Sequence, residues 1–322
     1  MPRHKKISKN IESVIIDNPK TADKSVEWIN VSTAGKEEIE YLSKNYEFNL
    51  NHLRASSSKV MAQRPIITHA NGYFFLIMHF PVFKDGNIIS SEINFFISHG
   101  YIITVHNNNI PELKKFFKLV KKDTDTLLSY KFESSAILLY EIIDRLLQYC
   151  YTILDQNSID INNIEDIIFG EKQKQAVSKI LELRRNVVNI RKIMQNHKDI
   201  LKKLMNMESS IVPTEKIRIY YYHLIDYSKN IWAILDNQKE MIDVLNNTNE
   251  SLLNYHISDI MKTLTIFSVI VFPLTLFAAV FGMNIMGGMP LINNPKGFWI
   301  IIALMIIGCF LMLVYFKKKK WL

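Results

Sequence analysis

Met261 to Asn284, MKTLTIFSVIVFPLTLFAAVFGMN, is the stretch whose reading decides the fold. From Leu264 to Phe281 it contains no Asp, Glu, Lys or Arg, and a second run of the same kind extends from Phe298 to Phe316. At about 1.5 Å rise per helical residue the two runs span roughly 27 to 29 Å, close to a hydrocarbon core of about 30 Å. A buried helical hairpin in a soluble core is the competing reading, and it would have to explain two adjacent charge-free runs of membrane length. The pair predicts two membrane-spanning helices surrounded by lipid.

The rest of the chain reads differently. Over 322 residues the hydrophobic share of 48% resembles that of a globular protein, but only because charged, soluble-type sequence before Met261 is averaged with the two apolar runs. The formal charge of +8 is spread along helical segments, with clusters at Lys114-Lys115, Lys121-Lys122 and Lys317 to Lys320, so no nucleic-acid partner is expected. Cys150 and Cys309 are the only cysteines, which excludes a disulfide framework or a cysteine zinc site and fits a reducing cytosol. No apolar segment follows the basic Met1 to Asn10, so no signal peptide is expected. Lys317 to Lys320 directly follow the second run, where an excess of positive charge marks the cytoplasmic side, and Trp321 suits an interfacial anchor. Two spans return the chain to its starting side. The expected protein is thus a multi-pass cell-membrane protein with both termini cytoplasmic and only residues 285–297 outside.

Upstream, Val26 to Val31, Tyr73 to Met78, Ile93 to Ile97 and Tyr101 to Val105 read as strands, the last two joined by a turn at Ser98-His99-Gly100. Ala34 to Tyr46 carries helical spacing between them, giving an α/β domain over residues 1–125. From Glu133 onward Gly170 and Pro213 are the only glycine and proline before Pro273, and apolar residues recur at three and four through Leu138, Ile142, Leu146 and through Ile180, Leu183, Val187, Ile190. Residues 126–261 therefore read as a stalk of long helices and residues 262–322 as a two-helix transmembrane domain. Pro213-Thr214-Glu215 reads as a helix start, and nothing breaks the pattern before Phe281. One helix of roughly 100 Å results, a length that suggests packing against copies of itself.

Thr265, Ser268 and Thr275 lie on one face of the first span. Steps of three and four extend that face through Phe272 outward and through Met261, Ser258, Asn254, Ser251, Asn247, Val244, Glu240, Asn237, Ala233, Asn230, Asp226 and His223 inward. The flanking face is apolar through Ile225, Trp232, Leu235, Ile242, Leu245, Leu252 and Ile260. A polar line of this kind is a candidate ion path, provided the helix supercoils enough to keep it on one side. Serines and threonines that merely bond back to their own helix would give the same pattern. A single helix cannot enclose a pore, so conduction requires a ring of subunits.

Gly282-Met283-Asn284 at the end of the first of two C-terminal spans resembles the signature of the CorA family of magnesium transporters. Asp259 to Thr265, Pro273 to Thr275, the ending Tyr315 to Leu322, Trp28 to Val31, and Arg64-Pro65 followed by Tyr73 to Phe80 are similar as well. The resemblance implies an α+β membrane protein assembled as a funnel-shaped homopentamer, the first span lining the pore. It places pore-facing positions at Ser258, Met261, Leu264, Phe272 and Thr275, and a selectivity filter at Gly282, Met283 and Asn284. Four of those five pore positions fall on the polar line, and Leu264 adjoins Thr265.

What the resemblance implies for function is influx of a divalent cation, Mg²⁺ first and Co²⁺ or Ni²⁺ besides, with intracellular Mg²⁺ as regulatory ligand held by carboxylates between cytoplasmic domains. Asp226 and Glu240 on the line and Asp85 in the α/β domain are the carboxylates proposed for that role. Hydrated Mg²⁺ gives up its waters reluctantly, so a ring of Asn284 carboxamide oxygens could select the ion with its waters on. Apolar rings at Leu264, Phe272 and Met261 could close the path by dewetting. One departure bears on the ion: residues 285–297 hold no Asp or Glu and include Lys296, which weakens attraction of cations. Gly287 to Pro290 and His256 leave open a proton-coupled zinc transporter of the same superfamily. A membrane-anchored sensor or scaffold is the further alternative. No phosphate-cradling glycine loop, His-Glu-x-x-His or nucleophile motif suggests an enzyme.

Overall fold

The computed structural model describes residues 4–17, 25–57, 63–122, 134–170, 172–206, 215–283, 290–291 and 294–321. The chain divides into two compact units, Met1–Asn246 and Asn247–Leu322. The first opens with β1 (His4–Lys6), β2 (Ile11–Asp17) and β3 (Ser25–Ser32), followed by α1 (Lys36–Asn45) and α2 (Leu50–Ala55). Then come β4 (Ile66–Ala70), β5 (Tyr73–Lys84), β6 (Asn87–Ser98) and β7 (Tyr101–His106). Helices α3 (Pro111–Lys122), α4 (Ser135–Phe169), α5 (Gln173–Met194) and α6 (His197–Asn206) precede the long α7 (Glu215–Phe281), whose C-terminal part belongs to the second unit together with α8 (Gly297–Lys318).

The seven strands form one sheet in the order β1-β2-β3-β7-β6-β5-β4. Only β3 and β7 run parallel, which their connection through α1, α2 and the β4–β6 meander permits. Alternation along β3 decides what each face meets. Trp28 turns to one side, against Phe116 and Phe117 of α3 at 5.3 and 5.0 Å. Its neighbours Ile29 and Val31 belong to the opposite core, with Leu42 of α1, Leu53 of α2, Phe75 and Phe96. Strand β5 is buried without interruption from Tyr73 to Val82, as expected where helices cover both faces.

The four anticipated strands are present as β3, β5, β6 and β7, and the anticipated helix as α1. Two of the strands are longer than their apolar cores suggested: β5 and β6 continue to Lys84 and from Asn87 around a two-residue turn, Asp85-Gly86. Both turn residues have positive φ, 49° and 78°, the mirror-image turn whose twist suits a hairpin. Strands β1, β2 and β4 were not anticipated. β1 is His-Lys-Lys and takes its structure from pairing with β2, while β4 is a half-exposed edge.

Two histidines are locked inside this unit. Trp28 Nε1–H donates to Thr104 Oγ1 at 3.1 Å, and that hydroxyl donates to Asn30 Oδ1 at 2.9 Å. The Asn108 backbone N–H donates to His106 Nδ1 at 3.0 Å, so the ring carries its proton on Nε2 and donates it to Asn30 Oδ1, also at 3.0 Å. Burial pushes the His106 pKa down to about 4. His197, at the start of α6, is fully buried against Phe80, and its pKa is likewise pushed down to about 4 by burial. Carbonyls of Ile193, Met194 and His79 face the His197 ring, yet neither ring nitrogen has a hydrogen-bond partner among the described residues.

In the first unit α7 is held along one side only. Tyr221 Oη–H donates to the Ala136 carbonyl of α4 at 2.8 Å. Further along, the buried Gln238 donates to the Leu154 carbonyl at 2.7 Å and to Ser158 Oγ at 3.0 Å, and it accepts from Asn157 Nδ2 at 3.3 Å. Arg191 of α5 pairs with Asp236 and lies over the Trp232 ring at 4.8 Å, and Arg184 pairs with Asp243 at 3.1 Å. Pro213 and Thr214 lie outside the described residues. Pro273 sits within α7, and lacking an N–H it cannot bond the Val269 carbonyl.

The two histidines set an acid limit. Each is neutral when folded and has an ordinary pKa of 6.5 when unfolded, so the unfolded chain binds more protons between pH 6.5 and about 4. Stability is full above that window and is lost as pH falls through it, by about 2 kcal/mol for each histidine at pH 5. The thermal midpoint of the detergent-solubilised chain should drop measurably between pH 7.5 and pH 5. A flat profile over that range would show that both rings accept protons in place.

Candidate functional site

Within the first unit the polar line on α7 is exposed from end to end: His223, Asp226, Asn230, Ala233, Asn237, Glu240 and Val244 all face outward. The apolar positions behave oppositely, with Ile225, Leu235, Ile242 and Leu245 buried and Trp232 half-buried under Arg191. Contacts to α4 and α5 thus leave the polar side of the helix without cover from the other described residues.

Within the second unit Asn247, Ser251, Asn254, Ser258, Met261, Thr265, Ser268, Phe272 and Thr275 are exposed too, as is Leu264. On a straight helix the positions from Ser258 to Thr275 occupy an arc of about 100°, with Leu264 at its rim. Off that arc Ile266 is buried, but Ile260 of the apolar flank and Phe267 are exposed as well, so in this unit exposure alone does not single out the line. Phe272 is 74% exposed, the largest apolar exposure on the line, so the side chains here need lipid or further copies around them. The hydroxyls do bond back to their own helix: Thr265 to the Met261 carbonyl at 2.7 Å, Ser268 to Leu264 at 2.8 Å and Thr275 to Val271 at 2.9 Å. Each such bond uses the hydroxyl hydrogen and leaves the oxygen lone pairs as acceptors facing outward. Back-bonding and a water-lined face are therefore compatible.

At the end of α7 the Gly282 N–H bonds the Ala278 carbonyl at 2.9 Å, and a Cβ at Gly282 would lie 3.2 Å from that oxygen. Its φ is not positive, so glycine serves close approach to the last turn and not a left-handed exit. Met283 is exposed. Asn284 lies outside the described residues. The return into α8 rests on Gly297, where a Cβ would meet the Leu291 carbonyl oxygen at 2.1 Å, and on Asn294 Oδ1 accepting from the Lys296 N–H at 3.0 Å. The Trp321 ring stacks on Phe316 at the far end of α8.

The three proposed regulatory carboxylates are all exposed and are not gathered into one cluster. Asp85 occupies the β5–β6 turn; Asp226 pairs with Lys229, one turn along α7, at 2.8 Å; Glu240 stands further along that helix. Among the described residues no group of three or more His, Cys, Asp or Glu is placed to hold a metal ion. Two carboxylates that no sequence pattern singles out, Asp160 of α4 and Glu182 of α5, line a cavity of about 220 Å³ beside Gly86, with Lys179 and the amides of Asn163 and Asn186. Asn186 Oδ1 accepts from the Ile88 N–H at 3.1 Å and ties that hairpin to α5. Spaced 22 positions apart on two amphipathic helices, Asp160 and Glu182 look in sequence like solvated acids.

An α/β unit and, among the described residues, two helices long and apolar enough to cross a membrane, one of them the 67-residue α7 with its exposed polar line, define a class of two-span membrane proteins. The model of the CorA-like Mg²⁺ transporter protein family matches residues 23–318, and the chain belongs to that family. The cobalt/magnesium transport protein CorA of Methanocaldococcus jannaschii is 25% identical over 302 residues, 92% of this chain and 91% of the relative. The cobalt/magnesium transport protein CorA of Thermotoga maritima is 29% identical over 185 residues, 58% of this chain and 52% of the relative. The complete structure of the CorA magnesium transporter from Methanocaldococcus jannaschii superposes with a TM-score of 0.82 at 22% identity, covering 92% of each chain.

Proposed function

We propose that the protein conducts divalent metal cations, Mg²⁺ foremost and Co²⁺ besides, inward across a membrane through a pore formed by a homopentameric, funnel-shaped ring of subunits. The observation that carries this reading is the polar line of α7: in the first unit it is left exposed while the opposite side is fixed to α4 and α5. Membership of a family whose relatives are named cobalt/magnesium transport proteins supports the cargo. Both termini are cytoplasmic in this reading and residues 285–297 form the outer mouth. The α/β domain of residues 1–125, the stalk of 126–261 and the transmembrane part of 262–322 act as sensor, funnel wall and pore.

Ser258, Thr265, Ser268 and Thr275 offer acceptor oxygens to the waters of a hydrated ion, and rings of Met261, Leu264 and Phe272 close the path when they dewet. Gly282, Met283 and Asn284 form the filter, with Asn284 supplying carboxamide oxygens at the mouth. A divalent ion moving down an inside-negative potential of about 100 mV releases about 4.6 kcal/mol, so influx requires no other energy source. Asp226, Glu240 and Asp85 bind regulatory Mg²⁺ against a neighbouring subunit. The exposed pair of Asp226 with Lys229 is weak enough for a cation to replace.

Purified protein in liposomes should admit Mg²⁺ under an inside-negative potential and be blocked by hexamminecobalt(III), which mimics a hydrated ion. Vesicles that take up no divalent cation would refute conduction and favour a membrane-anchored scaffold. Flux of Zn²⁺ that depends on a proton gradient would instead favour a zinc carrier. Asn284→Ala should abolish Mg²⁺ uptake while the oligomer still assembles, read by flux and by size-exclusion light scattering. Asp226→Asn should shift inhibition by internal Mg²⁺ to higher concentration, by about threefold to tenfold for the loss of one charged ligand; an unmoved inhibition curve removes Asp226 from the sensor.

A further inference from the structure

A second cavity, of about 810 Å³, opens in the first unit between the lead into β4, strands β5 and β6, and the end of α5. It lies within the range of about 300 to 1,000 Å³ common for small-molecule sites. Its charged lining is cationic: Arg64 on the β4 side and Lys192 on the α5 side, with no Asp or Glu among the described residues that line it. Both side chains are exposed and, among the described residues, make no hydrogen bond or ion pair. The neighbouring arginines differ, since Arg184, Arg185 and Arg191 are engaged by Asp243, Asn87 and Asp236.

The remaining polar lining includes side-chain amides able to donate. Gln195 and Asn196, in the turn between α5 and α6, present side-chain amides with no partner among the described residues. His79 reaches the wall from β5, and the Glu92 carboxylate behind it is already taken. That carboxylate accepts from the Gln63 N–H at 2.6 Å and Asn94 Nδ2 at 2.8 Å, and lies 3.4 Å from His79 Nε2. Its negative charge is thereby held inside the fold. Pro65, Ile88 and Ile193 make up an apolar side.

Two unpaired cations from different elements, side-chain amides able to donate, no lining acid among the described residues and an apolar flank match a ligand that is doubly negative at one end and less polar at the other. A guanidinium fork suits a phosphate in particular, because two parallel N–H donors meet two oxygens. We propose that this cavity binds an organic phosphate of nucleotide size, its phosphate between Arg64 and Lys192 and its less polar part against Pro65, Ile88 and Ile193. The site uses none of the residues assigned to conduction or Mg²⁺ sensing.

The test is equilibrium binding of radiolabelled AMP to the full-length protein in detergent, in Mg²⁺-free buffer, with inorganic phosphate as a parallel probe. Saturable AMP binding is expected, weakened about tenfold or more by Arg64→Ala and by Lys192→Ala, consistent with loss of a charge-assisted hydrogen bond. Arg64→Lys should retain part of the affinity, and Lys179→Ala, at the other cavity, should leave binding unchanged. Both cations are exposed, so the variants should unfold at the wild-type temperature. Absence of saturable binding at millimolar AMP overturns the proposal, as does binding that survives loss of both Arg64 and Lys192. Phosphate binding as tightly as AMP overturns the organic part of the assignment.

Discussion

Gln238 fixes how α7 can be used. Its amide is buried between two helices, and such a group must find partners there or cost about 1–3 kcal/mol. Asn157, Ser158 and the Leu154 carbonyl of α4 supply them all at one axial position and one rotation of α7. Sliding the helix by one residue would turn Gln238 about 100° away from those partners. An apolar residue in its place would pack in several registers. The hydrogen bonds therefore act as an index mark: they decide that Ile231, Leu235 and Ile242 point inward and that Asp226, Asn230, Asn237 and Glu240 do not.

The sheet serves the same end by a different route. Strands β3 and β7 are joined through the Trp28, Thr104, Asn30 and His106 chain, and Trp28 meets α3 on the far side. Arg145 of α4 lies over Phe116 of α3 at 4.3 Å, and α5 grips the β5–β6 hairpin through Asn186 and Asn189. Helix α5 is thus anchored to the sheet by polar contacts, and α4 is tied to α3. The hairpin is thereby joined to α5, whose Arg184 and Arg191 hold Asp243 and Asp236 of α7.

The parts of the fold legible in the sequence are those where burial follows a period. Strands rich in aromatic and β-branched residues, the helical stretches from Ser135 on, and the two charge-free runs all announce themselves because each side chain reports its own environment. Strands β1 and β4 do not, since an edge strand derives its structure from its neighbour's hydrogen bonds. The break between α5 and α6 at Gln195-Asn196 carries no proline or glycine, so composition could not mark it. The polar line on α7 was readable for the same periodic reason as the strands. Asp160, Glu182, Arg64 and Lys192 were not, because their meaning arises only when residues distant in sequence come to share a cavity.

Pro273 has a consequence of its own. By denying the Val269 carbonyl its helical partner it leaves a bare oxygen dipole at hydrocarbon depth, and lipid has nothing to donate to it. Such an oxygen is tolerable against a neighbouring helix or against water. It lies one residue from Ser268 on the helical path, beside the polar line. Repeated around a symmetry axis, it would add a collar of backbone acceptors next to Phe272. A side chain can swing out of the way of a passing ion, whereas a carbonyl moves only with its helix. A turn short of one hydrogen bond bends more readily than its neighbours, and bending there would change the polarity beside Phe272.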